Sequence, residues 1–115
     1  MVGEFKKMTK PVVKLLKGNN RFKRLLGDSK KKQGLRSGFV VLRPGEFVGE
    51  HSTGTKEEIV IVLEGRAHFY YGKKKVILKE STFLYVPVKT THNVKNVGQG
   101  PLKYVYITAN LLSYR

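Results

Sequence analysis

Two histidines and one glutamate in this 115-residue sequence have the types and spacing that could bind a metal ion. His51 and Glu58 lie on either side of Gly54, and His92 follows near the start of a later predicted strand. If the Gly54 loop joins two antiparallel strands, His51 and Glu58 are cross-strand neighbours with Cβ atoms about 4.5–5.5 Å apart. Two imidazoles and one carboxylate suit Fe(II), Mn(II), Ni(II) or Zn(II). The pattern therefore predicts a divalent metal site.

Strand alternation separates Glu58 from its neighbour Glu57. Successive side chains of a strand point to opposite faces, so Val60 and Val62 share the face of Glu58 and form an apolar surface beneath it. Glu57 then points the other way, towards solvent. His68 lies outside the pattern and is predicted to be a strand residue without chemistry. The absence of cysteine excludes disulfides, thiolate zinc sites, iron–sulfur clusters and cysteine nucleophiles.

The same residues fall into two motifs with fixed intervals. The first is glycine, five residues, His-x-His, three or four residues, glutamate, six residues and glycine, and it is matched by Gly45, His51, Glu58 and Gly65. The second is glycine, five residues, Pro-x-Gly, two residues, histidine, three residues and asparagine, and it is matched by Pro87, His92 and Asn96. The chain resembles a small single-domain cupin. The motifs span residues 45–96, and the strand pattern extends the match to most of 37–110.

The sequence departs from the cupin motifs at three positions. Thr53 replaces the second histidine of the first motif, and Ser81 and Lys89 replace glycines of the second. Thr53 is predicted to offer its hydroxyl or to hold a water, although neutral hydroxyls are poor ligands for these metals. Asn96 is predicted to lie behind the site and bond a neighbouring loop. The resemblance therefore implies three metal ligands, namely His51, Glu58 and His92.

With only three candidate ligands, the sequence leaves open whether the protein is an enzyme or a binding module. Three ligands resemble the facial triad of non-haem iron enzymes, and they could equally be a remnant that binds nothing. The resemblance implies a protein that holds a divalent metal as a Lewis acid at the barrel mouth and acts on or senses a small molecule. The fold does not choose the reaction, which for an enzyme would be an oxygenase or isomerase reaction. A metal-free module that binds a small ligand is the alternative.

Strand signals dominate the chain from residue 37 onwards. Short apolar or β-branched segments recur about every 8–12 residues, separated by Gly, Pro or Lys-rich turns. This pattern predicts an all-β sandwich or barrel, and the resemblance implies a double-sheet jelly-roll barrel of the cupin type. The predicted strands are Phe39–Leu42, Ile59–Leu63, Ala67–Tyr71, Val76–Leu78, Thr82–Val86, His92–Asn96 and Lys103–Thr108.

The N-terminal third, residues 1–36, is predicted as a basic segment of the same single domain, with the barrel core at 37–115. One interpretation of this segment is a basic amphipathic helix broken at Gly18. The favoured interpretation is a hairpin of two strands, 12–16 and 21–26, that turns at Gly18, Asn19 and Asn20, since Gly and Asn tolerate positive φ. Residues 28–34 are expected to form an exposed loop.

The charge is strongly positive, at +15 overall. Residues 1–36 contain twelve basic and two acidic residues, a net charge of +10. Such a field could attract nucleic acid, although no nucleic-acid-binding motif is present. A solvated lysine-rich surface is the simpler interpretation.

Two further expectations concern the cellular location and the oligomeric state of the protein. No apolar run is long enough to span a membrane, and residues 1–7 lack the features of a signal peptide, so we expect a cytoplasmic protein. Ile59, Ile61 and Leu63 face away from the predicted interior. A second sheet of the same chain or a symmetric partner would cover them, and we expect a homodimer.

Overall fold

The computed structural model describes residues 6–7, 10–27, 31–32 and 34–110. Within these residues the regular structure is entirely β, and no helix could cross a membrane. The prediction of an all-β fold is confirmed. The described strands are β1 Lys6–Lys7, β2 Phe22–Leu26, β3 Lys31–Lys32, β4 Leu35–Leu42, β5 His51–Ser52, β6 Lys56–Glu64, β7 Arg66–Tyr71, β8 Lys74–Lys79, β9 Thr82–Val86, β10 Thr91–Asn96 and β11 Leu102–Asn110.

Two antiparallel sheets face each other and enclose the core. The larger has the order β2-β4-β11-β6-β9, and the smaller has the order β5-β10-β7-β8. Alternate residues of each strand point between the sheets, as the period of a half-buried strand requires. The buried core is formed by Val40, Leu42, Val60, Val62, Ala67, Phe69, Leu78, Val86, Val94, Leu102 and Tyr104.

The outer face of the larger sheet is apolar along its centre. Phe39, Val41 and Val105 form a second buried cluster there, against which Leu25 and Ile107 pack. Two buried faces explain why residues 39–42 are continuously apolar rather than alternating. Strand β6 is covered less evenly. Its inner Val60 and Val62 are buried and its outer Ile59 and Ile61 are half-buried, whereas Leu63 is exposed.

The N-terminal segment differs from the predicted hairpin. Only its second half forms a strand, β2, which pairs with β4, whereas residues 11–20 have no helix or strand. The ammonium groups of Lys14 and Lys23 donate to the backbone oxygens of Arg24 and Leu15, at 3.4 and 3.1 Å. The segment is therefore held against β2 by side chains instead of a backbone ladder.

The expected exposed loop at 28–34 is corrected in part. Lys31–Lys32 forms β3 and pairs in parallel with β1, Lys6–Lys7. Parallel pairing joins segments far apart in sequence, so no local turn signal could indicate it. Residues 28–30 and 33 of the expected loop lie outside the described residues.

Positive φ angles explain several motif positions. Gly65 has a φ of 91°, and a Cβ atom there would lie 2.5 Å from the carbonyl oxygen of Pro101. Ser81 and Lys89, which occupy the glycine positions of the second motif, have φ angles of 64° and 53°. They are the non-glycine residues with positive φ in the described part of the chain. At these two positions the chain therefore has the positive-φ conformation typical of glycine, but a different residue.

Candidate metal centre

The two histidines are direct neighbours on the smaller sheet. His51 on β5 is aligned with His92 on β10, and their ring centroids are 4.2 Å apart. His51 is exposed at the mouth of the barrel, whereas His92 is buried. Cross-strand pairing thus brings together two imidazoles that are 41 positions apart in the sequence.

Glu58 reaches the histidines from the opposite sheet. It lies on β6 and is buried with Val60 and Val62, on the face predicted for it. Its Oε1 atom is 3.4 Å from Nε2 of His92. The expectation that His51 and Glu58 are cross-strand neighbours is wrong, because β5 pairs with β10 and β6 pairs with β9 and β11. The two residues meet across the interior of the barrel instead.

Backbone carbonyls orient both imidazole rings. Nδ1 of His51 is 2.8 Å from the oxygen of Gly49, and Nδ1 of His92 is 2.9 Å from the oxygen of Thr90. A carbonyl only accepts hydrogen bonds, so in each ring Nδ1 donates a hydrogen to it. With Nδ1 engaged in this way, Nε2 is the atom of each ring that would ligate a metal ion through its lone pair.

Thr53 braces the segment that precedes His92. Its hydroxyl donates to the oxygen of Pro87 at 2.7 Å and accepts from the backbone N–H of Thr90 at 3.0 Å. Thr90 is the residue whose carbonyl orients His92. Thr53 is itself buried. The residue at the missing-histidine position therefore supports a candidate ligand through the backbone.

The surroundings of His92 act on its charge in opposite directions. Burial lowers the pKa of His92, but the hydrogen bonds to Glu58 and to the carbonyl of Thr90, together with the charge of Glu58, raise it by more. The net result is a pKa above the ordinary 6.5. The ring of Phe69 stacks on His92 at a centroid distance of 5.2 Å. This packing fixes the plane of the ring.

The donor geometry fits a metal ion. One ligand atom from each of the three residues lies within 4.8 Å of the others. Two atoms that bind one tetrahedral ion at about 2.1 Å lie about 3.4 Å apart, which is the separation of Glu58 and His92. Neutral nitrogen donors with one carboxylate form a borderline ligand set suited to first-row divalent metals.

The other sequence candidates lie away from these three ligands. Glu57 points outwards and accepts a hydrogen bond from the hydroxyl of Tyr85. His68 contacts Tyr70. The fully buried Asn96 donates to the oxygens of Leu42 and Gly100 and accepts from the N–H of Gly98. These bonds tie β10 to β4 and to the following loop and include none of the candidate ligands.

A cavity of about 550 Å³ opens beside the three ligands. Its lining includes Arg24, Arg36 and Lys56, which sequence reasoning missed. Lys56 lies two residues before Glu58 on the same strand, so strand alternation could have indicated it. The arginines lie on β2 and β4, and only the pairing of those strands places them here.

Two facing antiparallel sheets, with ligands from both directed into one cavity, define a β-barrel with a candidate metal centre at its mouth. The chain belongs to the cupin family, because the family model for the cupin domain matches residues 38–108. The resemblance seen in the two sequence motifs is thereby confirmed.

Relatives of several kinds share this likeness. The chain is 40% identical over 53 residues to an uncharacterised protein, MJ1618, of Methanocaldococcus jannaschii, covering 46% of this chain and 42% of that protein. It is 33% identical over 76 residues to the polyketide synthase CurC of Streptomyces cyaneus, covering 64% and 49%. The chain thus spans less than half the length of these curated relatives.

A solved structure supports the fold over almost the full length. It is an RmlC-like cupin family protein with a double-stranded β-helix fold from Methanocaldococcus jannaschii, with a TM-score of 0.75. The match covers 93% of this chain and 96% of that one at 17% identity. At this identity the likeness concerns the fold alone.

Proposed function

We propose that this protein binds one divalent metal ion through His51, Glu58 and His92 and presents it to a small molecule in the adjoining cavity. The observation that carries the proposal is the convergence of two correctly oriented imidazoles and one carboxylate from two sheets, within 4.8 Å. The cavity volume of about 550 Å³ lies within the range of small-molecule sites.

The bound metal would supply Lewis acidity, polarising an oxygen of the small molecule or of water. The residues of the chain contribute the rest. Thr90 and Gly49 hold the imidazoles in the ligating tautomer, and Phe69 keeps water from one face of His92. Val60 and Val62 form a dry surface below Glu58, which strengthens its interaction with a cation.

Metal titration of the protein tests the proposal. The full chain, stripped with EDTA, is titrated calorimetrically with Mn²⁺, Fe²⁺, Ni²⁺ and Zn²⁺. We expect one equivalent of at least one of these ions to bind and to raise the melting temperature by mass action. His92→Ala and Glu58→Gln should each weaken the affinity by at least about 100-fold, since the first removes an imidazole ligand and the second the negative charge of the carboxylate.

The matched control is His68→Ala, which removes a histidine outside the centre. Its metal affinity should equal that of the original protein. Circular dichroism of each variant separates lost ligation from lost folding. A melting temperature that ignores all four ions, or an equal loss in His68→Ala, would contradict the proposal.

A further inference from the structure

Three basic side chains share the inner face of the larger sheet with Glu58. On β4, Arg36 is aligned with Thr108 of β11, which is aligned in turn with Glu58 of β6. Arg24 of β2 is aligned with Gly38, one inward position further along β4. Lys56 precedes Glu58 by two residues. We call Arg24, Arg36 and Lys56 the basic wall of the cavity.

The two arginines of the basic wall are adjacent. A Cβ atom built on Gly27 would lie 3.0 Å from Cγ of Arg36 and 3.5 Å from Nη1 of Arg24. The guanidinium of Arg24 also lies over the ring of Phe22, 5.6 Å from its centroid. Two guanidinium groups that line one cavity repel each other, and an anion beside them offsets this repulsion.

No acidic side chain in the described part of the chain neutralises the basic wall. The lysine and arginine side chains that form ion pairs among the described residues are different ones. Arg21 and Arg43 pair with Glu46, and Lys103 pairs with Glu64. Glu58, the carboxylate that lines the cavity, is paired with His92. The cavity therefore has a surplus of positive charge beside low-dielectric apolar groups, which concentrates the field there.

An aromatic surface lies directly beside the basic wall. The rings of Phe22 and Tyr106 stack with centroids 6.5 Å apart and planes 20° apart. Gly38 makes room for them, because a Cβ atom there would lie 2.6 Å from both rings. The cavity thus presents basic and aromatic groups side by side, as a ligand with a charged head and an apolar body requires.

We propose that the cavity selects a small organic anion, whose carboxylate or phosphate head binds Arg24 and Arg36, assisted by Lys56, and whose apolar body lies on Phe22 and Tyr106. Planar guanidinium groups bind both kinds of head through paired hydrogen bonds. The inference deepens the proposed function and rests on it, because the anion would lie beside the metal held by His51, Glu58 and His92.

Three matched probes test this inference: benzoate, phenyl phosphate and the neutral benzamide. Each is titrated into the EDTA-treated full chain at low ionic strength, with binding followed by amide NMR shifts. We expect saturable binding of benzoate, phenyl phosphate or both, with shifts confined to β2, β4, β11 and the part of β6 around Lys56. Benzamide should bind at least about tenfold more weakly, since it lacks the charge that the guanidinium groups recognise.

Substitutions of the cavity arginines test whether the anion binds at the basic wall. Arg24→Gln and Arg36→Gln should each weaken anion binding by about tenfold. The control Arg66→Gln removes the same charge from an exposed residue on β7, outside the cavity lining, and should leave binding unchanged. Whichever anion binds more tightly identifies the head group, and either preference supports the proposal.

Three outcomes would overturn it: equal affinity for benzamide and benzoate, an equal loss in Arg66→Gln, or no saturation by either anion. The comparison of benzamide with benzoate uses the unmodified protein, so it holds even if a variant fails to fold. Because metal is absent throughout, these outcomes are independent of the metal titration. Failure of either proposal is therefore distinguishable from failure of the other.

Discussion

At the scale of single residues, Thr53 shows how a motif position can change its role. The cupin pattern has histidine here, and this chain has a buried threonine whose hydroxyl connects Pro87 and Thr90. The carbonyl of Thr90 then orients His92. The position has become a support for a candidate ligand rather than a ligand.

Replacing Thr53 by valine tests this supporting role. Thr53→Val keeps the shape but leaves the N–H of Thr90 and the oxygen of Pro87 without the hydroxyl. We expect metal affinity to fall by about tenfold, as is typical when a group behind a ligand is removed. Calorimetric metal titration measures this. Thr53→Ser, which retains the hydroxyl, should restore the affinity, and equal affinities in all three proteins would contradict the role.

Ser81 and Lys89 show that a backbone conformation can persist without its usual residue. Both adopt the left-handed conformation that glycine reaches without steric cost. Replacing either by glycine relieves about 1–2 kcal/mol. The greater freedom of glycine in the unfolded chain offsets about 0.5–1 kcal/mol of this gain.

Ser81→Gly and Lys89→Gly should therefore each raise the free energy of unfolding by about 0.5–1 kcal/mol. Urea denaturation at neutral pH measures the change. The matched control is Lys79→Gly within β8, where glycine should destabilise. A loss of stability in both Ser81→Gly and Lys89→Gly would show that the side chains contribute more than the strain costs.

At the scale of elements, strand β11 lies at the centre of the larger sheet and contributes Tyr104 and Tyr106 to the cavity. Burial, together with the nearby charge of Glu58 and the presence of Tyr106, raises the pKa of Tyr104, while Arg21 opposes the shift. The folded protein thus retains the phenolic proton at a pH where the unfolded chain releases it.

Stability should accordingly fall as the pH rises above about 10, the ordinary tyrosine value. The contribution of Tyr104 is fully present below that value and is lost as the pH rises towards its raised folded pKa. For one such group the slope is at most about 1.4 kcal/mol per pH unit. Urea denaturation at several alkaline pH values should show a smaller loss in Tyr104→Phe, and an identical loss would contradict the assignment.

Most strands could be predicted because their signals are local. The segments 82–86 and 67–71 match β9 and β7 within a residue, since alternation or an apolar run, closed by Gly or Pro, specifies a strand without its partner. The strand predicted at residues 12–16 was wrong, because a run of apolar residues forms a strand only where a partner strand is available to pair with it. The connection between the predicted strands 67–71 and 76–78 is shorter than expected, because Lys74 and Lys75 join β8.

At the scale of the whole molecule, the homodimer remains a prediction. The outer face of β6 and β9 carries exposed apolar side chains, with Leu63, Phe83 and Tyr85 at 39%, 62% and 49% exposure. A second copy of the chain packed on this face would cover them.

Sedimentation equilibrium at micromolar protein concentration tests this prediction. We expect a species of twice the chain mass of 13.1 kDa. Phe83→Lys, which places a charge at the centre of the exposed face, should give the single-chain mass. The control Ile77→Lys replaces an exposed isoleucine of the smaller sheet and should stay dimeric. A single-chain mass for the unmodified protein would contradict the prediction.

The sequence by itself determined the strand class of the fold, the inward face of Glu58 and the identity of three candidate ligands, because residue type and a period of two are local properties. Only the tertiary structure decided that His51 pairs with His92 while Glu58 approaches from the other sheet. It also decided that Arg24 and Arg36 line the same cavity. Alternation tells which way a side chain points, but strand order and register decide what it meets there.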